Sequence, residues 1–153
     1  VEGITGLFPR QRYRIGGFTV LPFNVPHDDC PNYAYLIWHS DMKNCLLYAT
    51  DFGYIPVNLK AFNIGTMLIE CNHQDKYLPE TEYKFRHSAR GHAELETVKK
   101  VIETDQTEHL RNIILCHLSR NASDPEEMRD EISKIAGNNV EVFIASPGLK
   151  LEV

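Results

Sequence analysis

Long hydrophobic runs are missing from this chain. No apolar stretch approaches the roughly 20 residues that a membrane-spanning helix needs, so no such helix is expected. Paired cysteine spacing is missing as well. Cys30, Cys45, Cys71 and Cys116 never fall in a CxxC arrangement, which excludes a zinc ribbon and a thioredoxin-like redox motif. Cys45, Cys71 and Cys116 sit inside apolar runs and read as buried free thiols, which fits a reducing compartment, the cytoplasm. Cys30 follows His27-Asp28-Asp29, where a ligand role is the alternative. An excess of positive charge is also absent: the net charge is −5. That excludes a protein that coats nucleic acid through its overall field. It does not exclude an enzyme whose metal ions supply positive charge locally. Repeats, linkers and low-complexity segments are lacking, so residues 1–153 are expected to form a single domain. The start, Val-Glu-Gly-Ile-Thr-Gly, has neither signal-peptide shape nor an initiator Met, and a processed or truncated start is expected.

What is present is an ordinary globular composition. Hydrophobic residues make up 42% and charged residues 24% of 153, enough for one real core. The first half reads as strands. Phe18 to Val25 is a strand broken by Pro22. Tyr33 to His39 and Cys45 to Ala49 form a hairpin around the polar turn 40–44. Met67 to Glu70 is a short strand. Then the period changes: Leu95, Val98, Val101 and Ile102 share one face of a helix over Ala93 to Glu103. Asn112 to Cys116 is a buried strand. Ser123 reads as an N-cap, with Pro125 at the helix start and Glu126 and Glu127 in the first turn. That helix carries Met128, Ile132 and Ile135 and ends at Gly137. Val140 to Ala145 is the last strand. Strands followed by alternating helices and strands predict an α+β fold, a sheet with helices on one face.

Polar residues fall where the strands stop. The runs beginning at Phe18, Leu46, Met67 and Ile113 end at His27-Asp28, Asp51, Glu70 (with His73 nearby) and His117. Strand ends from one sheet can meet at a common edge, where loops bind ligands. Imidazole nitrogen and carboxylate oxygen together suit Zn²⁺ or Mn²⁺. Each residue also has a plainer reading. A lone His after a strand is usually a hydrogen-bonded surface residue. Asp51 and Asn72-His73 could be turn residues, and Glu70 a solvated strand end.

The local motifs carry a resemblance. Phe23-Asn-Val-Pro-His-Asp resembles the third metal-ligand motif of the metallo-β-lactamase superfamily. Tyr48-Ala-Thr-Asp-Phe-Gly-Tyr-Ile resembles the segment of its bridging aspartate, and Leu115-Cys-His-Leu-Ser-Arg-Asn its last histidine motif. Leu68-Ile-Glu-Cys-Asn-His-Gln and Arg90-Gly-His-Ala-Glu resemble two stretches of the WalJ/YycJ-type exonucleases. The tRNA 3′-processing endonucleases have a related Glu and His pair. The order matches from about Gly16 to Gly148. The resemblance implies that His27 binds a first metal, that Asp51 bridges two metals and that His117 binds the second. It implies a Glu70/His92 dyad in which Glu70 orients His92 and His92 protonates a leaving oxygen. In the complete enzyme two divalent ions, Zn or Mn, about 3.5–4 Å apart would activate water and neutralise a phosphate; without the ligands of the superfamily's upstream HxHxDH motif, tight binding of both ions and normal catalysis are not expected of this chain. The implied activity is a phosphodiesterase or nuclease acting on nucleic acid. Arg86, His87 and Arg90 could contact phosphates or form a solvated basic loop. Ser119 and Asn121 could hold the His117 loop, and His73 could approach the site. His39 and His109 read as surface residues, Arg10, Arg12 and Arg14 as a basic alternating strand end with a solvated face rather than a nucleic-acid patch, and Tyr33 and Tyr35 as sheet residues.

The superfamily's HxHxDH motif should precede His27, yet residues 1–26 contain no histidine. The chain therefore reads as about half of an αββα sandwich, the C-terminal half of a metallo-β-lactamase-like fold. A fragment of a longer enzyme, the product of a split gene and a degenerate relative all fit. So do three functions: a nuclease portion, another hydrolase of the fold such as a thioesterase or lactonase, and a non-catalytic interaction module. A bare sheet face is expected to be covered by a homo-oligomer partner or a complementing N-terminal chain.

Overall fold

The computed structural model describes residues 6–78 and 91–152. Within them the strands and helices run in the order β1 (Tyr13–Ile15), β2 (Phe18–His27), β3 (Cys30–His39), β4 (Cys45–Ala49), β5 (Ile64–Glu70), α1 (Leu95–Asp105), β6 (Asn112–Cys116), α2 (Pro125–Ala136) and β7 (Glu141–Ile144). The seven strands form one sheet in sequence order. From β1 to β4 neighbours are antiparallel; from β4 to β7 they are parallel. Antiparallel neighbours need only tight turns, whereas parallel neighbours need crossovers. Helices α1 and α2 are the last two crossovers. Successive crossovers of one hand, progressing in one direction across the sheet, put both helices on the same face.

Strand alternation decides which residues face the helices. Leu36, Leu47, Met67, Ile69, Ile113 and Leu115 are buried there with Leu95, Val98, Val101 and Ile102 of α1 and Met128 and Ile132 of α2. Complete burial of such side chains stabilises by about 2 kcal/mol each. The long β4–β5 connection is tied down by a buried carboxylate: Asp105 at the end of α1 accepts from the Leu59 amide at 3.0 Å. The opposite face carries Ile37, Leu46, Tyr48, Leu68, Ile114 and Phe143. Leu149 and Leu151 return across part of it and, with Leu46, Leu68 and Ile114, line an apolar trough of about 300 Å³.

Two local expectations are corrected. Pro22 does not break its strand; β2 runs for 10 residues through both Pro22 and Pro26. The carbonyls of these two residues accept from Arg10 and Gly53, on the side away from β3. An antiparallel residue points its N–H and C=O the same way, so each missing N–H faces outward and costs no bond to β3. The N-cap of α2 is Asp124, not Ser123. The Asp124 carboxylate accepts from the Glu127 amide at 3.1 Å, while the Ser123 hydroxyl donates to the Ser119 carbonyl at 2.5 Å. An ionised cap at the positive helix end gains from the helix dipole as well as the hydrogen bond. The expected basic cluster Arg86, His87 and Arg90 lies outside the described residues.

Candidate metal centre

Strand direction brings the site together. β4, β5 and β6 are parallel, so Asp51, Glu70 and His117 leave the sheet at one edge. β2 is antiparallel to β3, and β3 to β4, so β2 runs the same way as β4 and delivers His27 to that edge. His92 arrives from the segment that leads into α1. Four of the five expected residues, Asp51, Glu70, His92 and His117, therefore meet, and His27 stands beside His92.

Glu70 is the hub. It is completely buried, an unusual state for a carboxylate that is tolerated only with partners. One oxygen lies 2.7 Å from His92 Nδ1. The other accepts the backbone N–H of Asp51 and lies 3.2 Å from His117 Nδ1. Asp51 Oδ1 is 3.4 Å from His117 Nδ1 and 3.8 Å from His92 Nδ1. Exposure falls in the same order as role: the side chains of Asp51 and His117 are 40% and 44% exposed, that of His92 12%. The hydrogen bond to Glu70 holds His92 above the ordinary histidine pKa, against the opposing effect of burial.

His27 joins from the side. The rings of His27, His92 and His117 stand in a row, with centroids 5.0 and 5.2 Å apart and steep interplanar angles. His27 Nδ1 lies 2.6 Å from the Gly91 carbonyl. A carbonyl can only accept, so Nδ1 carries the proton, and in the neutral ring Nε2 keeps its lone pair. Metal-binding histidines are commonly held in this way.

Backbone strain gathers at the same edge. Among the described residues, four other than glycine have positive φ: Arg10, Asp28, Asp51 and His117. Three of them are at or beside the site. Such conformations cost energy and persist where surrounding structure enforces them. Two asparagines supply part of that enforcement. The Asn32 amide donates to the carbonyls of Thr50 and Asp51, at 2.9 and 2.6 Å. The Asn72 amide donates to the carbonyl of His117 at 2.8 Å. In the sequence Asn72 is legible only as a turn residue, without its partner, and Asn32, a polar residue within a strand, carries no signal. Ser119 does help to hold the His117 loop, through its amide on the Asn72 carbonyl.

Asp51, Glu70, His92 and His117 each offer a ligand atom within 4.8 Å of the others, a group that could hold a metal ion. Two carboxylates and two imidazoles fit the donor preference of Zn²⁺ or Mn²⁺. Burial pushes the Cys71 and Cys116 thiols up to about 12, so both are protonated in the metal-free chain. His73 is buried, with its pKa lowered by desolvation, and its Nε2 lies 3.7 Å from Asp75. It packs behind the cluster rather than joining it.

Comparison with solved structures identifies the architecture. YhfI from Bacillus subtilis, a metallo-β-lactamase fold protein, superposes with TM-score 0.68 at 21% identity, covering 94% of this chain and 53% of that one. Igni18, a metallo hydrolase from the archaeon Ignicoccus hospitalis, gives 0.67 at 11%, covering 95% and 58%. A diphosphatase of the PhnP family gives 0.62 at 18%, covering 95% and 47%. The fold is that of the metallo-β-lactamases. The chain spans about half the length of these structures. No family model matches it, and no curated protein does. The same fold also carries other chemistry: CmlA, a diiron β-hydroxylase from Streptomyces venezuelae, matches with TM-score 0.55 at 10% identity. Likeness at this level establishes the fold and leaves the reaction to the site. No helix among the described residues is long and apolar enough to cross a membrane.

Proposed function

We propose that the chain carries part of the active centre of a metal-dependent hydrolase of the nuclease type, acting on phosphodiesters of nucleic acid. The observation that carries this reading is the 2.7 Å contact between buried Glu70 and His92, set beside Asp51 and His117. His27, Asp51 and His117 would hold the divalent ions, Zn or Mn. When bound, the metal supplies Lewis-acid charge at the phosphoryl oxygens. Glu70 fixes the His92 ring through Nδ1 and favours its cationic form. His92 then acts as general acid, giving the Nε2 proton to the departing oxygen. The exposure of Asp51 and His117 leaves their side of the site open to a substrate.

The test has two parts. Metal content per chain is measured on protein purified without chelator, with Asp51→Ala and His117→Ala alongside. Hydrolysis of bis(p-nitrophenyl) phosphate and of a single-stranded oligonucleotide is then followed with added Zn²⁺ or Mn²⁺. The expected result is metal that both substitutions remove, and a His92→Gln variant that binds metal but turns over at least 100-fold more slowly. Metal content unchanged by either substitution sinks the reading.

The apolar sheet face supports a second reading, an interaction module. Ile37, Leu46, Tyr48 and Leu68 would be covered by a second copy or by a complementing chain that also completes the site. Sedimentation velocity at micromolar concentration decides: a clean monomer counts against the second copy.

A further inference from the structure

We infer that Asn32 and Asn72 are a matched pair of positioning residues, each locking one metal-ligand residue into its left-handed backbone conformation. The inference rests on the reading of Asp51 and His117 as ligands. Both have φ of 56°. Both lie just past a strand of the parallel half, Asp51 two residues beyond β4 and His117 one residue beyond β6. In each case an asparagine amide from the sheet neighbour holds the carbonyl of that residue: Asn32 of β3 for Asp51, and Asn72, two residues beyond β5, for His117. Two unrelated stretches of sequence thus arrive at the same device.

The physical need is clear. A residue that turns left-handed at a strand end swings its carbonyl out of the ladder; Asn32 gives the part-buried Asp51 carbonyl the donor it would otherwise lack, and Asn72 holds the exposed His117 carbonyl in place of water. The amide supplies the donor only while the residue stays left-handed. Should the residue relax into the extended region, its Cα–Cβ bond would swing and carry the ligand atom away. Metal sites require placement within about 0.5 Å, so such a swing disables the site. Asn32 also holds the preceding carbonyl of Thr50, which fixes the peptide on both sides of the turn. Asn72 is tied through its own backbone to Ala93 and Ser119, so its side chain projects from a fixed base.

Asn32→Asp and Asn72→Asp keep the shape and lose the donor. Three readouts on the full chain separate positioning from general stability. The first is Zn²⁺ affinity by competition with a chromophoric chelator. The second is the urea unfolding midpoint of the metal-free protein. The third is the NMR Cβ shift and amide–Hα coupling of Asp51 and His117 in the metal-free protein, which report φ directly. The expected result is selective: Asn32→Asp moves the Asp51 signals and leaves His117 in place, Asn72→Asp does the reverse, and each weakens Zn²⁺ binding about 10-fold or more. Return of the donor in Asn32→Gln or Asn72→Gln should recover part of that loss. Unchanged φ at both residues overturns the inference and leaves the metal site standing. So does a loss of affinity no greater than the loss of metal-free stability. If Asp51→Ala and His117→Ala take up Zn²⁺ as well as the unaltered chain, the ligand reading itself fails and the inference falls with it.

Discussion

The two ends of strands β4, β5 and β6 are built by different rules. At the amino ends the groups are ordinary. Cys45 donates to the Asn63 carbonyl, Arg111 to that of Gly65, and Asn112 bridges to the Thr66 hydroxyl at 3.3 Å. At the carboxyl ends the chain accepts a buried carboxylate and two left-handed residues whose ligand atoms lie within 4.8 Å of one another. Between them lies the same helix-covered core. The contrast separates what the fold needs from what the site needs. A strand end can be satisfied cheaply, and three neighbouring ends here are satisfied at a cost instead.

The sharpest way to break the contrast is at Glu70. Glu70→Ala removes the acceptor of the Asp51 amide and the partner of His92 from a sealed position. Metal-free stability should fall by about 3 kcal/mol in urea unfolding, and metal binding should vanish. A loss under about 1 kcal/mol would mean that the hub is not the support described. The next effect has the opposite sign. Asp51→Gly and His117→Gly remove a ligand and also relieve a left-handed side chain, so metal should be lost while metal-free stability rises by up to about 1 kcal/mol. A destabilised metal-free protein would show that these turns are not strained.

A third effect sharpens the contrast through pH. Its sign follows from the raised folded-state pKa of His92. The contribution is fully present below the unfolded histidine value of about 6.5 and is lost as pH rises through the higher folded value. Metal-free unfolding midpoints measured across that window should fall with rising pH, and His92→Gln should flatten this part of the profile. The smallest effect belongs to the amino ends. Asn112→Ala should cost about 0.5–1 kcal/mol and leave metal affinity untouched. A change in affinity there would erase the distinction between the two ends.

Much of this was legible in the sequence, for reasons that differ by element. The β4 and β6 segments were read to the residue because each is a short apolar run bounded by polar turns. The helices were read to within two residues at each end, from the period of Val98, Val101 and Ile102 and from Pro125 and Gly137. β1 is legible only as a strand end, from the alternation of Arg10, Arg12 and Arg14, since three residues at a sheet edge, Tyr13 to Ile15, give no hydrophobic alternation to count. The apolar run from Phe18 points to His27, but Pro22 disguises it as a broken strand, because sequence does not reveal which way a strand N–H points. At the site, the residue types at the strand ends and the motifs around them indicated which side chains would meet. Their backbone conformation was invisible, because left-handed Asp51 and His117 lack the glycine that usually marks such a turn. Asn32 was invisible for a related reason: its partner lies across a strand pairing that had first to be known.

The sequential strand order has a consequence for how the chain is made. Each strand emerging from synthesis finds its neighbour already in place, so the sheet can grow from one side without waiting for a distant segment. The finished edges are then β1 and β7, of three and four residues. Edges so short, with Arg14 on one and Glu141 on the other, offer little template for another chain's strand. Among the described residues, neither edge of the seven-stranded sheet presents a long row of unpaired N–H and C=O groups.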